Sequence, residues 1–139
     1  MSRNVIYIGV AIILVVAIIA VYFYQLGHDD LSRLKPAYEI TAETLYFEFS
    51  ENEATANEKY LDKVLQVTGI LKDMEIKSDS TWNLVLKTSD PHGSVVCSFD
   101  DYTLPKQHLL EAGNMITVRG ICSGMLMDVL LNNCVLIKP

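Results

Sequence analysis

From Val5 to Tyr24 the chain carries no charged side chain, and the run VIYIGVAIILVVAIIAVYFY leaves few structural options. Twenty apolar residues in a helix span about 30 Å, the thickness of a bilayer's hydrocarbon core. Within such a helix every backbone N–H and C=O is satisfied without water, so the sequence predicts a transmembrane helix over residues 1–26. Residues 5–24 are expected to contact the lipid bilayer, with Tyr7, Tyr22 and Tyr24 near the headgroups. The apolar stretch is longer than the 7–15-residue core of a cleaved signal peptide, and its small-residue candidate, Ala17 to Ala20, lies inside the run. Lipoprotein processing would need a cysteine just after the run, and the first cysteine is Cys97. The expectation is an uncleaved signal anchor.

Orientation follows from the basic residues flanking the span. Arg3 and the terminal amine stand on one side, Arg33 and Lys35 on the other. Short basic amino tails stay in the cytoplasm, so a single-pass protein of the cytoplasmic (inner) membrane is expected, its carboxyl-terminal domain periplasmic or extracellular.

Past the anchor the chain is acidic. From Glu39 onward eight Lys and Arg face fifteen Asp and Glu, a net charge of −7. A polyanion would be repelled on average, since phosphate binding gains free energy only where positive charge gathers. Three cysteines, Cys97, Cys122 and Cys134, sit in apolar stretches without CxxC or Cys/His spacing, so no metal site is predicted.

A polar linker is expected over residues 27–38, followed by a helical segment over 39–62. Thr41 is a candidate N-cap, with Ala42, Leu45, Tyr46 and Phe49 on one face. Ser50-Glu51-Asn52-Glu53 has capping-box spacing and predicts a second helix start, with Ala54, Ala56 and Tyr60 continuing the stripe. From residue 63 to 139 the hydrophobic period becomes two. Strands are predicted at Lys63–Glu75, Trp82–Lys87, Val95–Phe99, Ile116–Cys122 and Asp128–Ile137. Asp90-Pro91-His92-Gly93 is a turn, and Pro105–Glu111 a helical connector closed by Gly113. Gly69 and Gly120 lie mid-strand, where a closed barrel needs a bend or bulge. Five strands with a helix between the third and fourth is the order of an OB-fold barrel. The predicted fold is mainly β: a five-stranded OB barrel preceded by one or two short helices and the N-terminal transmembrane helix.

Several stretches together resemble the tRNA-anticodon-binding-like (tRNA_anti-like) family of exported or membrane-anchored bacterial OB-fold proteins. They are Leu45 to Phe49, Asn52-Glu53, Ala56-Asn57, Tyr60 with Lys63, Val67 to Gly69, Val95 to Phe99, Val118 to Cys122 and Asp128 to Leu131. The resemblance implies the barrel and the envelope setting, and no assigned activity.

An OB fold takes its ligand across its second and third strands. With Leu84 and Leu86 inward, the outward set is Asn83, Val85 and Lys87 on the second strand and Val96 and Ser98 on the third. This set is the predicted ligand-binding face. It offers no aromatic platform, and Trp82 shares parity with the inward leucines, so nucleic acid is expected to be an unlikely partner. The Asp73–Ser80 loop, with Asp73, Glu75, Lys77 and Asp79, and the Asp100-Asp101 pair lack the ordered spacing of a calcium loop. His28, His92 and His108 fall in separate polar segments and read as surface histidines.

A tight hairpin near Leu126 would set Cys122 across from Leu130 and Val118 across from Cys134, too far apart for a bridge between Cys122 and Cys134. A disulfide between Cys97 and Cys134 fits better, because the third and fifth strands are neighbours. Three buried core thiols are the leading expectation, and one disulfide, favoured by an oxidising compartment, is the rival. The leading expectation is a non-enzymatic, membrane-tethered binding or interaction module outside the cytoplasm, without a cofactor, whose partner is an envelope protein or a small ligand. An envelope enzyme, an oligonucleotide binder facing the cytoplasm and a purely structural scaffold remain as alternatives.

Overall fold

Arg3–Leu26 forms one 24-residue helix, α1. The structure, a computed structural model, describes residues 2–26, 31–77, 81–100 and 110–138. Its two compact units comprise residues 1–30 and 31–139. In the first, Arg3–Tyr24 has a mean hydropathy of 3.0 and none of its apolar side chains is buried. A helix with exposed Val, Ile and Leu on every side has no stable place in water. It is long and apolar enough to cross a membrane, and it fits an anchor or a signal.

The second unit begins with a short strand, β1 (Tyr38–Thr41), and two helices, α2 (Ala42–Glu51) and α3 (Glu53–Tyr60). Thr41 caps α2 as expected, its hydroxyl accepting from the Thr44 N–H at 3.2 Å. The second cap is Asn52, which accepts from the Thr55 N–H at 3.1 Å. The capping box expected from Ser50 is not used. Ser50 sits inside α2 and donates to the Phe47 carbonyl instead, because Asn52 takes the extended backbone that a cap requires. Ala42, Leu45 and Phe49 form the buried face of α2, and Ala56 and Tyr60 that of α3. Expected alongside them, Ala54 is exposed. Tyr60 packs its ring on Phe49 and Tyr38, and its hydroxyl donates to Glu48.

Five strands follow: β2 (Val64–Lys77), β3 (Thr81–Lys87), β4 (Ser94–Phe99), β5 (Met115–Met125) and β6 (Val129–Lys138). Their hydrogen-bonded order is β1-β2-β3-β4-β6-β5, and β2 also pairs with β5, so the sheet closes on itself. This is the predicted five-stranded barrel, and closure leaves its five strands without the open edges that invite aggregation. Closure depends on β2 serving two neighbours in succession. Val64 to Ile70 pairs with β5, and Leu71 to Lys77 with β3. The parallel strand β1, not expected from the sequence, lies on the first half of β2.

Leu65, Val67, Leu71, Leu84, Leu86, Val95, Cys97, Phe99, Ile116, Val118, Val129 and Leu131 fill the barrel, each 1 % exposed or less. Burying one such aliphatic side chain contributes roughly 1.5–3 kcal/mol. The α2 helix closes over this core where Ala42 meets Gly69. A Cβ at Gly69 would stand 2.9 Å from that of Ala42.

β2 holds Asp73 and Glu75 within the strand predicted to end at Glu75 and runs two residues further, so Lys77 of the expected Asp73–Ser80 loop also lies in it. The connector expected as a helix over Pro105–Glu111 falls largely outside the described residues, as do Asp79, Asp101, His28 and His108. Gly113 follows it with a φ of +96°, a conformation that favours glycine.

Candidate ligand-binding site

On the β3–β4 face, antiparallel pairing sets Asn83 beside Ser98 and Val85 beside Val96, and puts Lys87 beside Ser94. The five residues predicted from strand parity thus share one face. They are not equally accessible. Asn83 and Val85 are 5 % and 8 % exposed, and Asn83 Oδ1 already accepts the Ser98 hydroxyl at 2.9 Å. Lys87 is exposed, while Val96 and Ser98 are half-buried.

A groove of about 300 Å³ opens at the lower part of this face. Val85 and Val96 form its apolar floor, and Lys72, His92, Asp73, Glu75 and Asp128 surround them. Each of these additions has a local cause. Leu71 pairs with Leu86 and Asp73 with Val85, so Lys72 is an extra residue on β2, a bulge that re-aims the side chains beside it. His92 reaches the rim through its turn. Asp90 Oδ1 accepts the His92 N–H at 2.8 Å, and its other oxygen accepts the Tyr46 hydroxyl at 3.1 Å. Those two bonds, the backbone one first, hold the Asp90 carboxyl below the usual aspartate range. Burial, helped by the bond to Asp90, pushes the Tyr46 phenol up. Asp128 belongs to the β5–β6 turn, and its Oδ1 accepts both the Ser94 N–H and the Ser94 hydroxyl at 2.9 Å. That clamp brings the hairpin turn onto the start of β4.

Sequence reasoning drew the binding face from strand parity alone and read His92 as a surface histidine and Asp73 and Glu75 as loop residues, so these, Lys72 and Asp128 were not expected in the groove. The Asp-Pro-His-Gly turn was the available signal. A bulge at Lys72 has no comparable mark. Trp82 is half-buried against the core, and the inward parity argued from Leu84 and Leu86 holds.

All three cysteines are buried free thiols. The β5–β6 hairpin turns one residue later than expected. Cys122 faces Leu131, not Leu130, and Val118 faces Leu136, not Cys134, because register shifts interrupt the ladder at three places.

Similarity to known proteins runs along two lines. The tRNA_anti-like family model matches residues 1–136. Among solved structures, the chain is similar to a Klebsiella pneumoniae protein described as a "putative nucleic acid-binding lipoprotein". That likeness has a TM-score of 0.60 at 19 % identity and covers 70 % of this chain and 91 % of the other. Weaker likenesses reach asparaginyl-tRNA synthetase of Entamoeba histolytica, with a TM-score of 0.47 at 9 % identity over 75 % of this chain and 24 % of that one. The S. pombe Stn1–Ten1 complex gives a TM-score of 0.41 at 17 % identity over 55 % and 59 %. No curated protein matches the chain. The expectation that nucleic acid is an unlikely partner is corrected by the family match and by the description of the Klebsiella protein. Neither the family match nor that description supports an envelope-protein partner. The argument from absent aromatics overlooked His92, whose imidazole stands at the groove's rim.

Proposed function

Since the chain belongs to the tRNA_anti-like family, we propose that it is a membrane-tethered OB-fold module that binds a short single-stranded nucleic acid across the β3–β4 groove. The observation that carries this reading is the groove itself, which lies where OB folds take ligands and combines an apolar floor, one exposed imidazole and one lysine. Val85 and Val96 suit the face of a base, His92 can stack on it, and Lys72 can meet one phosphate. The carboxylates of Asp73, Glu75 and Asp128 repel phosphate but accept amino protons from base edges, as acidic side chains do from cytosine N4. Recognition would therefore come from bases more than backbone.

That balance makes the reading testable by salt. With Lys72, Lys77 and Lys87 the lysines of this face, the slope of log affinity against log salt for a single strand should be about −2.1 or shallower. We expect fluorescence anisotropy on the full chain in detergent to give saturable binding of a labelled single strand with that slope. No saturation at low salt, or a slope several times steeper, overturns the proposal. A small neutral or cationic ligand in the same groove is a second reading, favoured by the three carboxylates.

We read α1 as an uncleaved anchor, with the barrel outside the cytoplasm and no catalytic step. Arg3 flanking the amino side of the span supports that orientation. An alkaline phosphatase fused to the carboxyl end should be active, and an inactive fusion would reverse the topology.

A further inference from the structure

We propose that Cys97 and Cys134 close into a buried disulfide that staples β4 to β6 when the chain folds in an oxidising compartment. Its occurrence in cells rests on the extracytoplasmic reading above, whereas its geometry does not. Three local features seat the two sulfurs side by side.

The first is an irregularity in β6. Between its pairings with Ile121 and Arg119, β6 advances from Asn132 to Val135, three steps against two on β5. Asn133 is the extra residue and takes a left-handed φ of +53°. In a regular strand Leu131 and Cys134 would face opposite sides. Here both are wholly buried, while Asn132 and Asn133 are exposed. The second is Gly120. A Cβ at that position would stand 2.5 Å from Cys134 Sγ, so the sulfur occupies space that any other residue would fill. The third is register. Cys97 faces Leu131 across the parallel β4–β6 pair. The Cys134 thiol bonds the Leu131 carbonyl at 3.4 Å, and Leu131 is the residue that Cys97 faces, so both sulfurs lie beside one β6 residue.

The third cysteine is excluded by the same register. Leu131 lies between Cys97 on one side and Cys122 on the other, which separates those two by two strand spacings, about 10 Å. On the β5 side the Cys134 sulfur lies over Gly120, two residues along the strand from Cys122, whose own thiol neighbours Gly124 and Asp62.

The oxidant required is a protein or small-molecule disulfide. One thiolate attacks it and forms a mixed disulfide, releasing one oxidant thiol. The second cysteine then displaces the other. Two cysteines lose two electrons and two protons, and the oxidant disulfide becomes two thiols. Burial and the neighbouring Cys97 raise the Cys134 pKa well above the usual thiol value, so thiolate is scarce once the core has closed. The bond therefore forms during folding.

The test has two arms. In the first, reduced and denatured full-length chain is refolded with glutathione disulfide in detergent, then alkylated, digested and analysed by mass spectrometry. If the chain fails to refold, cell-free synthesis of the full-length chain into detergent containing glutathione disulfide, so that folding and oxidation coincide, gives the same readout. The expected product is a linked Cys97–Cys134 peptide with Cys122 alkylated, and a melting temperature roughly 10 °C higher than after reduction. A linkage through Cys122, or three alkylated cysteines, overturns the proposal. In the second arm, membranes are alkylated before extraction. Closure in the first arm with three free thiols in the second leaves the pair intact and refutes the extracytoplasmic placement.

Discussion

Tyr46 and Asp90 join α2 to the turn that carries His92, and their protonation defines where that joint is sound. The Asp90 carboxyl is lowered, so its contribution is complete above the ordinary aspartate pKa and is lost as pH falls through the lower folded value. The Tyr46 phenol is raised, so its contribution is present below the ordinary tyrosine pKa and is lost as pH climbs through the higher folded value. Asp90→Asn should flatten the acid side of a stability-against-pH curve measured by urea unfolding, while an unchanged curve would show the pair to be idle. Gly93 sits beneath the same tyrosine, where a Cβ would overlap the ring at 2.0 Å. Gly93→Ala should cost about 1–3 kcal/mol, read as a lower urea midpoint, because the Tyr46 ring must leave its place. Neither contact was legible in the sequence, since both join residues more than forty positions apart.

At the scale of elements, the Thr41 cap and the stripe at Ala42, Leu45 and Phe49 could be read directly, because helix period and cap chemistry are local, while the second cap was expected at Ser50 and lies at Asn52. Asn52→Ala should destabilise by about 1 kcal/mol in the same measurement. The strands could be read from their period of two, but their interruptions could not. Lys72 and Asn133 are ordinary residues made exceptional by the partner strand, whereas Gly120, singled out from its mid-strand glycine, does coincide with a register shift. The segment just before β1 shows a further long-range bond. Arg119 Nη1 donates to the carbonyls of Leu31, Ser32 and Leu34 at 3.1, 2.9 and 2.6 Å, and its Nη2 donates to Gln66 Oε1. Leu31 is buried, and the Ala37 N–H donates to the Val64 carbonyl at 2.8 Å. A guanidinium satisfies several acceptors at once, which no lysine does in the same fixed geometry. Arg119→Ala should speed amide exchange in residues 32–37 and leave β3 and β4 protected. Unchanged exchange would mean that β1 pairing alone holds the segment.

For the whole molecule, the barrel was legible because its order of strands and connector has few other closed solutions. The groove proposed for its ligand was not. Net charge describes the average surface, while the groove is a local feature that a bulge and a turn gather from a few side chains. Trp82, the most conspicuous aromatic, packs against the core, and the less conspicuous His92 stands at the rim. An acidic domain that binds nucleic acid must do so by contacts to bases, so the central claim concerns place as much as affinity. Titration of the isotope-labelled chain in detergent with a short single-stranded oligonucleotide, followed by amide chemical shifts, tests that claim most directly. Shifts are expected to concentrate at Lys72, Asp73, Val85, His92, Val96 and Asp128. Shifts confined to β1 and α2, or none at saturating oligonucleotide, would contradict it.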